Sequence, residues 1–217
     1  MLPDAPSTFP PTISRMRIES ISRGTKDALR VTFSDETTLR VTEDELLSFG
    51  LYEGREIDAD ELARLRKAAA SSSARALAAR MIGARALSRA ALIKKLSQKG
   101  VEETDAIAAA DWLGSIGALD DASYAAALVR RCSASGYGAA RAKDELYRAL
   151  VPRELWDEAL AQLDDGAETI EKFAAAKLGG RAIDEKAIRR VRDALLRRGF
   201  SWEQIRPVLS RYRELPE

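Results

Sequence analysis

A helix end, a tight corner and the start of a second helix are predicted within Leu96-Ser97-Gln98-Lys99-Gly100-Val101. The arrangement returns at Leu146-Tyr147-Arg148-Ala149-Leu150-Val151 and again at Leu195-Leu196-Arg197-Arg198-Gly199-Phe200. The three leading leucines lie 50 and 49 residues apart, and a period of this length is typical of stacked helical repeats. Such arrays generally present an extended surface to a partner and not one pocket to a substrate.

Apolar residues at helical spacing surround each corner and predict three helices per repeat. Ser88 is expected to cap the helix that leads into the first corner, and Ser201 with Gln204 forms a capping box in the third repeat. Ser71-Ser72-Ser73 could bend or interrupt the helix that begins near Asp58. Some of the expected core positions are, in chain order, Leu92, Leu96, Ala109, Leu113, Tyr124, Leu128, Cys132, Ala142, Leu146, Leu155, Ala159, Ile170, Ala174, Ile188, Val191, Leu195, Ile205 and Leu209.

The N-terminal quarter has the two-residue period of strands and not the helical period. Apolar residues alternate with polar ones near Ile18, Val31 and Val41, which predicts a small antiparallel three-stranded meander. A meander of this size must lean on a helix to be stable. The sequence Thr42-Glu43-Asp44-Glu45 is a capping box that starts a short helix ending at about Ser48.

The fold class that follows is mainly α, with three tandem three-helix repeats in an elongated, solenoid-like array and a small N-terminal antiparallel β-meander. We expect a proline-rich disordered tail at residues 1–12 and the meander with its short helix at 13–57. The three repeats are expected at residues 58–118, 119–165 and 166–217.

The composition excludes several classes of protein. The chain has 217 residues, no histidine and one cysteine, so histidine ligands, histidine acid-base catalysis and an internal disulfide are excluded. Cys132 shares an apolar stripe and is interpreted as a packing residue and not a nucleophile. No apolar run is long enough to span a bilayer, and the first residues do not resemble a secretory signal. We therefore expect a cytoplasmic monomer with no membrane association, metal or cofactor.

Charge is segregated along the chain although the formal net charge is only +1. Residues 64–99 carry 10 basic side chains and no acidic one, and residues 181–213 carry 10 basic and 4 acidic ones. An acidic segment separates these two basic blocks. Exposed helices normally mix both signs, so this pattern favours a partner such as nucleic acid or a protein that coats it.

The basic side chains are accordingly the candidate binding residues. In chain order they are Arg85, Arg89, Lys94, Lys95, Lys99, Arg141, Arg148, Arg189, Arg190, Arg192, Arg197 and Arg198. If the repeats stack in register, Lys99, Arg148 and Arg198 would lie on one edge. Arginine suits carboxylates and phosphates equally, so the pattern does not choose between an acidic protein face and a phosphate backbone.

Two other groups of residues have competing interpretations. Asp120-Asp121 could support a hydrolase, but a helix cap is the commoner use of aspartate at this position. The three tryptophans Trp112, Trp156 and Trp202 occur once per repeat and are interpreted as packing anchors in preference to base-stacking platforms. The charge pattern also leaves open a DNA-binding protein that acts alone, or a general helical scaffold for protein interactions.

Several strings resemble the RecX family, the bacterial regulators of the RecA recombinase. They are Ala86–Leu96 followed by Lys99-Gly100-Val101, then Leu113 and Ile116–Asp121, then Tyr124-Ala125, and in the second repeat Gly138–Leu146. The resemblance covers about residues 75–165 and is weaker in the third repeat. Ala149-Leu150-Val151 departs from the family's Lys-Gly-hydrophobic corner.

The resemblance implies three tandem three-helix repeats and a role that is not enzymatic. RecX proteins are thought to lodge in the groove of the filament that RecA forms on single-stranded DNA. There they restrain filament growth or function and so lower strand exchange, ATP turnover and coprotease action. The expected partner is therefore the RecA filament, with the DNA inside it as a possible second contact.

Overall fold

The structure is a computed structural model that describes residues 15–24, 28–179 and 184–213. The predicted tail at residues 1–12 lies outside the described residues. Strands and helices follow in the order β1 Met16–Arg23, β2 Leu29–Phe33, β3 Thr38–Val41, α1 Glu43–Ser48, β4 Glu56–Ile57, α2 Ala59–Ala84, α3 Arg89–Ser97, α4 Glu103–Ser115, α5 Asp121–Ala134, α6 Ala139–Arg148, α7 Trp156–Leu160, α8 Ala167–Leu178, α9 Glu185–Arg197 and α10 Trp202–Arg213, with a 3-10 turn at Arg153–Leu155 before α7.

The N-terminal sheet has four strands in the order β3-β2-β1-β4, all pairs antiparallel. The predicted meander is present as β1, β2 and β3. The prediction of three strands was incomplete, because the two-residue strand β4 pairs Ile57 with Met16 on the free edge of β1. Two residues are too few to show a period, so β4 could not be predicted from the hydrophobic pattern. The capping box is confirmed, with the Thr42 hydroxyl accepting from the Glu45 amide.

Helix α2 is continuous over 26 residues and joins the sheet to the helices. The expectation that Ser71-Ser72-Ser73 could interrupt it was wrong. The Ser72 hydroxyl donates to the Ala69 carbonyl within the helix, so this serine needs no break to satisfy its side chain. The first half of α2 buries Leu62 and Leu65 against the sheet, and the second half buries Ala74 and Ala78 against α3 and α4.

The helices form three trios, each with its own core. The first consists of the second half of α2 with α3 and α4, the second of α5, α6 and α7, and the third of α8, α9 and α10. Their most deeply buried large side chains include Leu96 in the first trio, Leu146 in the second and Leu195 in the third. These are the three leucines whose spacing predicted the repeat.

The three corners share one hydrogen-bond pattern. The amides of Val101, Val151 and Phe200 donate to the carbonyls of Leu96, Leu146 and Leu195, at 3.2, 3.1 and 3.3 Å. This six-to-one bond is the Schellman motif, which requires a left-handed residue just after the helix. That position has φ values of +83° at Gly100, +55° at Leu150 and +89° at Gly199. The non-glycine corner therefore keeps the same backbone shape.

The corners of the second and third trios also contact the preceding trio, at the start of its middle helix. Ser88, the N-cap of α3, donates from its hydroxyl to the carbonyl of Ala149 at 2.6 Å. At the next interface the amide of Gly138, the N-cap of α6, donates to the carbonyl of Arg198 at 2.9 Å. The corner of one trio thus docks onto the N-cap residue of the trio before it, through a side-chain hydroxyl at the first interface and a backbone amide at the second.

Ser88→Ala should lower the free energy of unfolding by about 2 kcal/mol, since it removes a cap and leaves a carbonyl at the trio interface without its donor. The Ser88 side chain is fully buried, and its oxygen also accepts from the Ala91 amide at 3.1 Å. Urea unfolding followed by helical circular dichroism measures the change.

Ser201→Ala is the matched control, because the exposed Ser201 caps α10 without bonding another trio. The control should lose only about 1 kcal/mol, the usual value of one cap. Equal losses in the two variants would show that the bond from Ser88 to Ala149 adds nothing.

Candidate functional site

The first basic block gathers three of the candidate cations around one cleft. A cavity of about 480 Å³ is lined by Arg85, the residue after α2, by Lys95 on the last turn of α3, and by Lys99, two residues beyond the end of α3. Its remaining lining residues are Met81, Ala84, Leu87 and Gln98. We call this site the basic cleft. None of its three cations forms an ion pair with any residue that the structure describes, so their charge is uncompensated beside a partly apolar floor.

Two further candidates lie on α3. Lys94 is exposed on the last turn and, within the described residues, makes no ion pair. Arg89 is also exposed, but its Nη2 and Nε both donate to Oδ1 of Asp111, at 2.6 and 3.1 Å. Arg89 therefore tethers α3 to α4, and part of its charge is already neutralised.

The two candidates of the second trio share one carboxylate. Glu145 pairs with Arg141 at 2.8 Å and with Arg148 at 3.6 Å, all on α6 or its last turn. The Arg141 guanidinium also lies 5.6 Å from the ring centre of Tyr137. Less free positive charge is therefore available here than in the basic cleft.

The last basic block has both free and engaged arginines. Arg189, Arg190 and Arg197 are exposed on α9, and no ion pair to them occurs in the described ranges. Arg192 pairs with the neighbouring Asp193 at 2.8 Å. Helix α9 thus offers three uncompensated guanidinium groups.

Arg198, which was expected on one edge with Lys99 and Arg148, is less exposed than those two residues. It is half-buried between the second and third trios, where its Nη1 donates to the carbonyl of Gly136 at 3.2 Å. Its guanidinium lies 5.6 Å from the ring centre of Tyr137 and 4.7 Å from that of Phe173. The corner docks onto the preceding trio, which places this residue inside the interface.

The two neighbouring aspartates are used separately. Asp120 caps α5, accepting from the amides of Ala122 and Ser123, as the capping interpretation predicted. Hydrogen bonds from the Ser123 amide and hydroxyl, and then from the Ala122 amide, hold the pKa of Asp120 below its usual value. Oδ1 of Asp121 accepts from the Arg89 amide at 2.7 Å, so it links the second trio to the first.

The environment of Asp121 is less favourable to charge than that of Asp120. Partial burial raises the pKa of Asp121, although the Arg89 amide and guanidinium oppose the shift. Both oxygens of Asp120 and one of Asp121 are thus occupied by structural hydrogen bonds. The pair has the geometry of two caps and not that of a catalytic dyad.

Cys132 and Trp156 have the packing roles predicted for them. Cys132 is buried in the second core, and burial raises the pKa of its thiol, which disfavours the reactive thiolate. Trp156 is buried and donates from Nε1 to the Val151 carbonyl at 3.0 Å. The packing interpretation was wrong for Trp202, which is 42 % exposed.

Within the described ranges, no helix is long and apolar enough to cross a membrane. The same residues contain no group of three or more histidine, cysteine, aspartate or glutamate side chains placed to hold a metal ion. The exposed cations are the candidate binding groups of this surface.

Comparison with known proteins agrees with this architecture. Residues 120–160 match the family profile described as the second three-helix domain of RecX, and residues 164–209 match the third. The protein named regulatory protein RecX from Mycolicibacterium vanbaalenii is 36% identical over 139 residues, covering 59% of this chain and 76% of its own. That from Vibrio parahaemolyticus is 34% identical over 121 residues, covering 55% and 78%.

Solved structures share the fold. A crystal structure of regulatory protein RecX has a TM-score of 0.68 at 20% identity, covering 89% of this chain and 98% of that one. The structure of RecX from Lactobacillus salivarius has a TM-score of 0.61, also at 20% identity, and covers 67% of this chain and 98% of its own.

Proposed function

This chain belongs to the RecX family, and from that premise we propose that it binds the RecA filament on single-stranded DNA and restrains it. The regulator acts as a cytoplasmic monomer and without chemistry of its own. By occupying the filament it lowers strand exchange, ATP hydrolysis and coprotease action. Inhibition follows because a bound helical array that spans several subunits opposes the changes those subunits make during turnover.

The basic cleft is the observation that supports this proposal most directly. Arg85, Lys95 and Lys99 converge there without a carboxylate partner among the described residues, in a segment that has no acidic residue from 64 to 99. Uncompensated cations around an apolar floor suit a partner that presents carboxylates beside apolar groups. An acidic wall of a protein filament has that chemistry.

The free arginines of α9 provide a second point of attachment. Arg189, Arg190 and Arg197 belong to the third trio, whereas the basic cleft belongs to the first. Two separated basic surfaces on one chain gain from binding a repeating partner, because the second contact is made at a high effective concentration. A filament of identical subunits is such a partner.

The test is ATP hydrolysis by RecA on circular single-stranded DNA, with this protein added in substoichiometric amounts. We expect the rate to fall progressively, and strand exchange to fall with it. No effect on either activity at any ratio would contradict the proposal.

A second measurement separates the proposal from a DNA-binding protein that acts alone. Binding is compared on naked single-stranded DNA and on the same DNA coated with RecA and a slowly hydrolysed ATP analogue. We expect the coated DNA to bind more tightly. Equal or tighter binding to naked DNA, with a steep salt dependence, would favour the stand-alone alternative.

A further inference from the structure

The ring of Trp202 lacks the cation contact that the rings of the two other tryptophans make. Arg75 lies 5.9 Å from the ring centre of Trp112, and Arg153 lies 4.5 Å from that of Trp156. Trp202 is the first residue of α10, and among the described residues its ring has no cation over it and its indole N–H has no acceptor. A large aromatic surface is thus left open to solvent.

The exposed ring lines a small cleft between α9 and α10, which we call the tryptophan cleft. Its volume is about 260 Å³, below the roughly 300–1,000 Å³ typical of pockets for drug-sized ligands. The other lining residues are Glu185, Ile188, Arg189, Arg192, Arg206, Leu209 and Ser210. Three arginines and one carboxylate therefore surround an open aromatic ring and two apolar side chains.

Two of these arginines have no ion-pair partner, although the charge of Arg206 acts on the carboxylate of Glu203 in the same helical turn. Arg189 and Arg206 form no ion pair with any described residue, whereas Arg192 pairs with Asp193. A guanidinium with free donors binds a phosphate through paired hydrogen bonds. The cleft thus combines a stacking surface with phosphate ligands, the two parts of a site for single-stranded nucleic acid.

We propose that the tryptophan cleft binds one nucleotide of single-stranded DNA, with the base stacked on Trp202 and the phosphates beside Arg189 and Arg206. A base in a duplex is already stacked on its neighbours, so only a single strand offers its face. The carboxylates of an acidic peptide would pair with the arginines but would not stack on the indole ring. The inference rests on the proposed function, because the single strand would come from the DNA inside the RecA filament. Binding of a free oligonucleotide is nevertheless measurable without RecA.

The first test compares a thymidine oligonucleotide with an abasic oligonucleotide of the same length and phosphate count. The thymidine strand should quench the intrinsic tryptophan fluorescence. Trp202→Ala should weaken its binding by about 5- to 150-fold, the range expected for one stacked base, as measured by fluorescence anisotropy. Trp202→Ala should bind the abasic strand as the parent protein does, because only the base contact is lost.

Two further variants show whether a loss of affinity in Trp202→Ala comes from a folding defect. Trp202→Phe keeps an aromatic ring at the start of α10 and should recover much of the affinity for thymidine. Trp112→Phe alters a half-buried tryptophan outside the tryptophan cleft and should retain both the affinity and the quenching. Thermal melting of each variant shows whether the third trio is intact.

The second test concerns the phosphates. Arg189→Gln should reduce the slope of log affinity against log salt by about 0.7, the value of one phosphate contact on a single strand. Arg131→Gln is the control, because Arg131 is exposed on α5 and outside the tryptophan cleft. It should leave the slope unchanged.

Three results would overturn the inference: unchanged thymidine affinity in Trp202→Ala, an equal loss on the abasic strand, or polyglutamate binding with the same dependence on Trp202. The last result would assign the cleft to an acidic protein. These outcomes are separate from the proposed function, which fails if the parent protein does not affect RecA, whatever the oligonucleotides show. The inference fails if Trp202→Ala binds thymidine normally, even when RecA is inhibited.

Discussion

Gly199→Ala should lower the free energy of unfolding by about 3 kcal/mol, from a steric clash of about 1–3 kcal/mol and about 1 kcal/mol of left-handed strain. Gly199 has a φ of +89°, and an added Cβ would lie 2.4 Å from the Arg141 amide nitrogen and 2.9 Å from the Arg141 Cβ. Those atoms belong to the first turn of α6 and cannot rotate away. The third trio must therefore shift relative to the second, which also breaks the bond from the Ala140 amide to the Gly199 carbonyl.

Gly100→Ala separates the clash from the strain. Gly100 occupies the same place in the first corner with a φ of +83°, but nothing lies within 4 Å of an added Cβ. It should lose only about 1 kcal/mol, the cost of the left-handed backbone. Urea unfolding of both variants measures the difference, and equal losses would show that the corner of the third trio is not tightly docked.

Lys95→Glu combined with Lys99→Glu should weaken binding to RecA-coated single-stranded DNA by about 100-fold or more, since like charges placed opposite each other cost several kcal/mol. Both lysines line the basic cleft and have no partner among the described residues. The reversal therefore removes two attractions and creates two repulsions against the acidic wall that we propose for the filament. Surface-immobilised filaments and a titration of the protein measure the affinity.

Arg64→Glu combined with Lys67→Glu makes the same change in net charge at a different place. Both residues are exposed on the half of α2 that packs against the sheet. This pair should weaken filament binding by about three-fold or less, because salt screens charges that lie beyond about 10 Å from the partner. Similar losses from the two pairs would mean that the filament senses total charge and not the basic cleft. Thermal melting is checked too, since Lys95→Glu opposes the dipole of α3.

Local chemistry explains the parts of the fold that sequence could predict. The residues around Gly100 and Gly199 define the corners, and Ser88, Thr42 and Ser201 define helix starts, because each satisfies backbone groups within a few positions of itself. The corner at Leu150 was also predicted from local pattern. This corner lacks glycine, yet the leucine spacing still predicted the turn that the structure has.

Features that depend on distant residues could not be predicted in this way. Asp121 bonds an amide 32 positions earlier, and Arg198 bonds a carbonyl 62 positions earlier. No periodicity encodes such pairs, so the interface contacts of Arg198 and Asp121 were missed. The exposure of Trp202 depends on how α9 and α10 pack. For the candidate site, the sequence predicted which segments are basic, but which of their cations stay unpaired is a result of packing.

The shared helix α2 has a mechanical consequence. Its roughly 39 Å, at about 1.5 Å of rise per residue, serves two cores at once, with Leu65 in one and Ala78 in the other. Fraying at either end would expose apolar surface in a neighbour, so the sheet and the first trio open together as one cooperative unit. A pulling force on the N-terminal strands is therefore transmitted along α2 to its C-terminal end. There Arg85 lines the basic cleft.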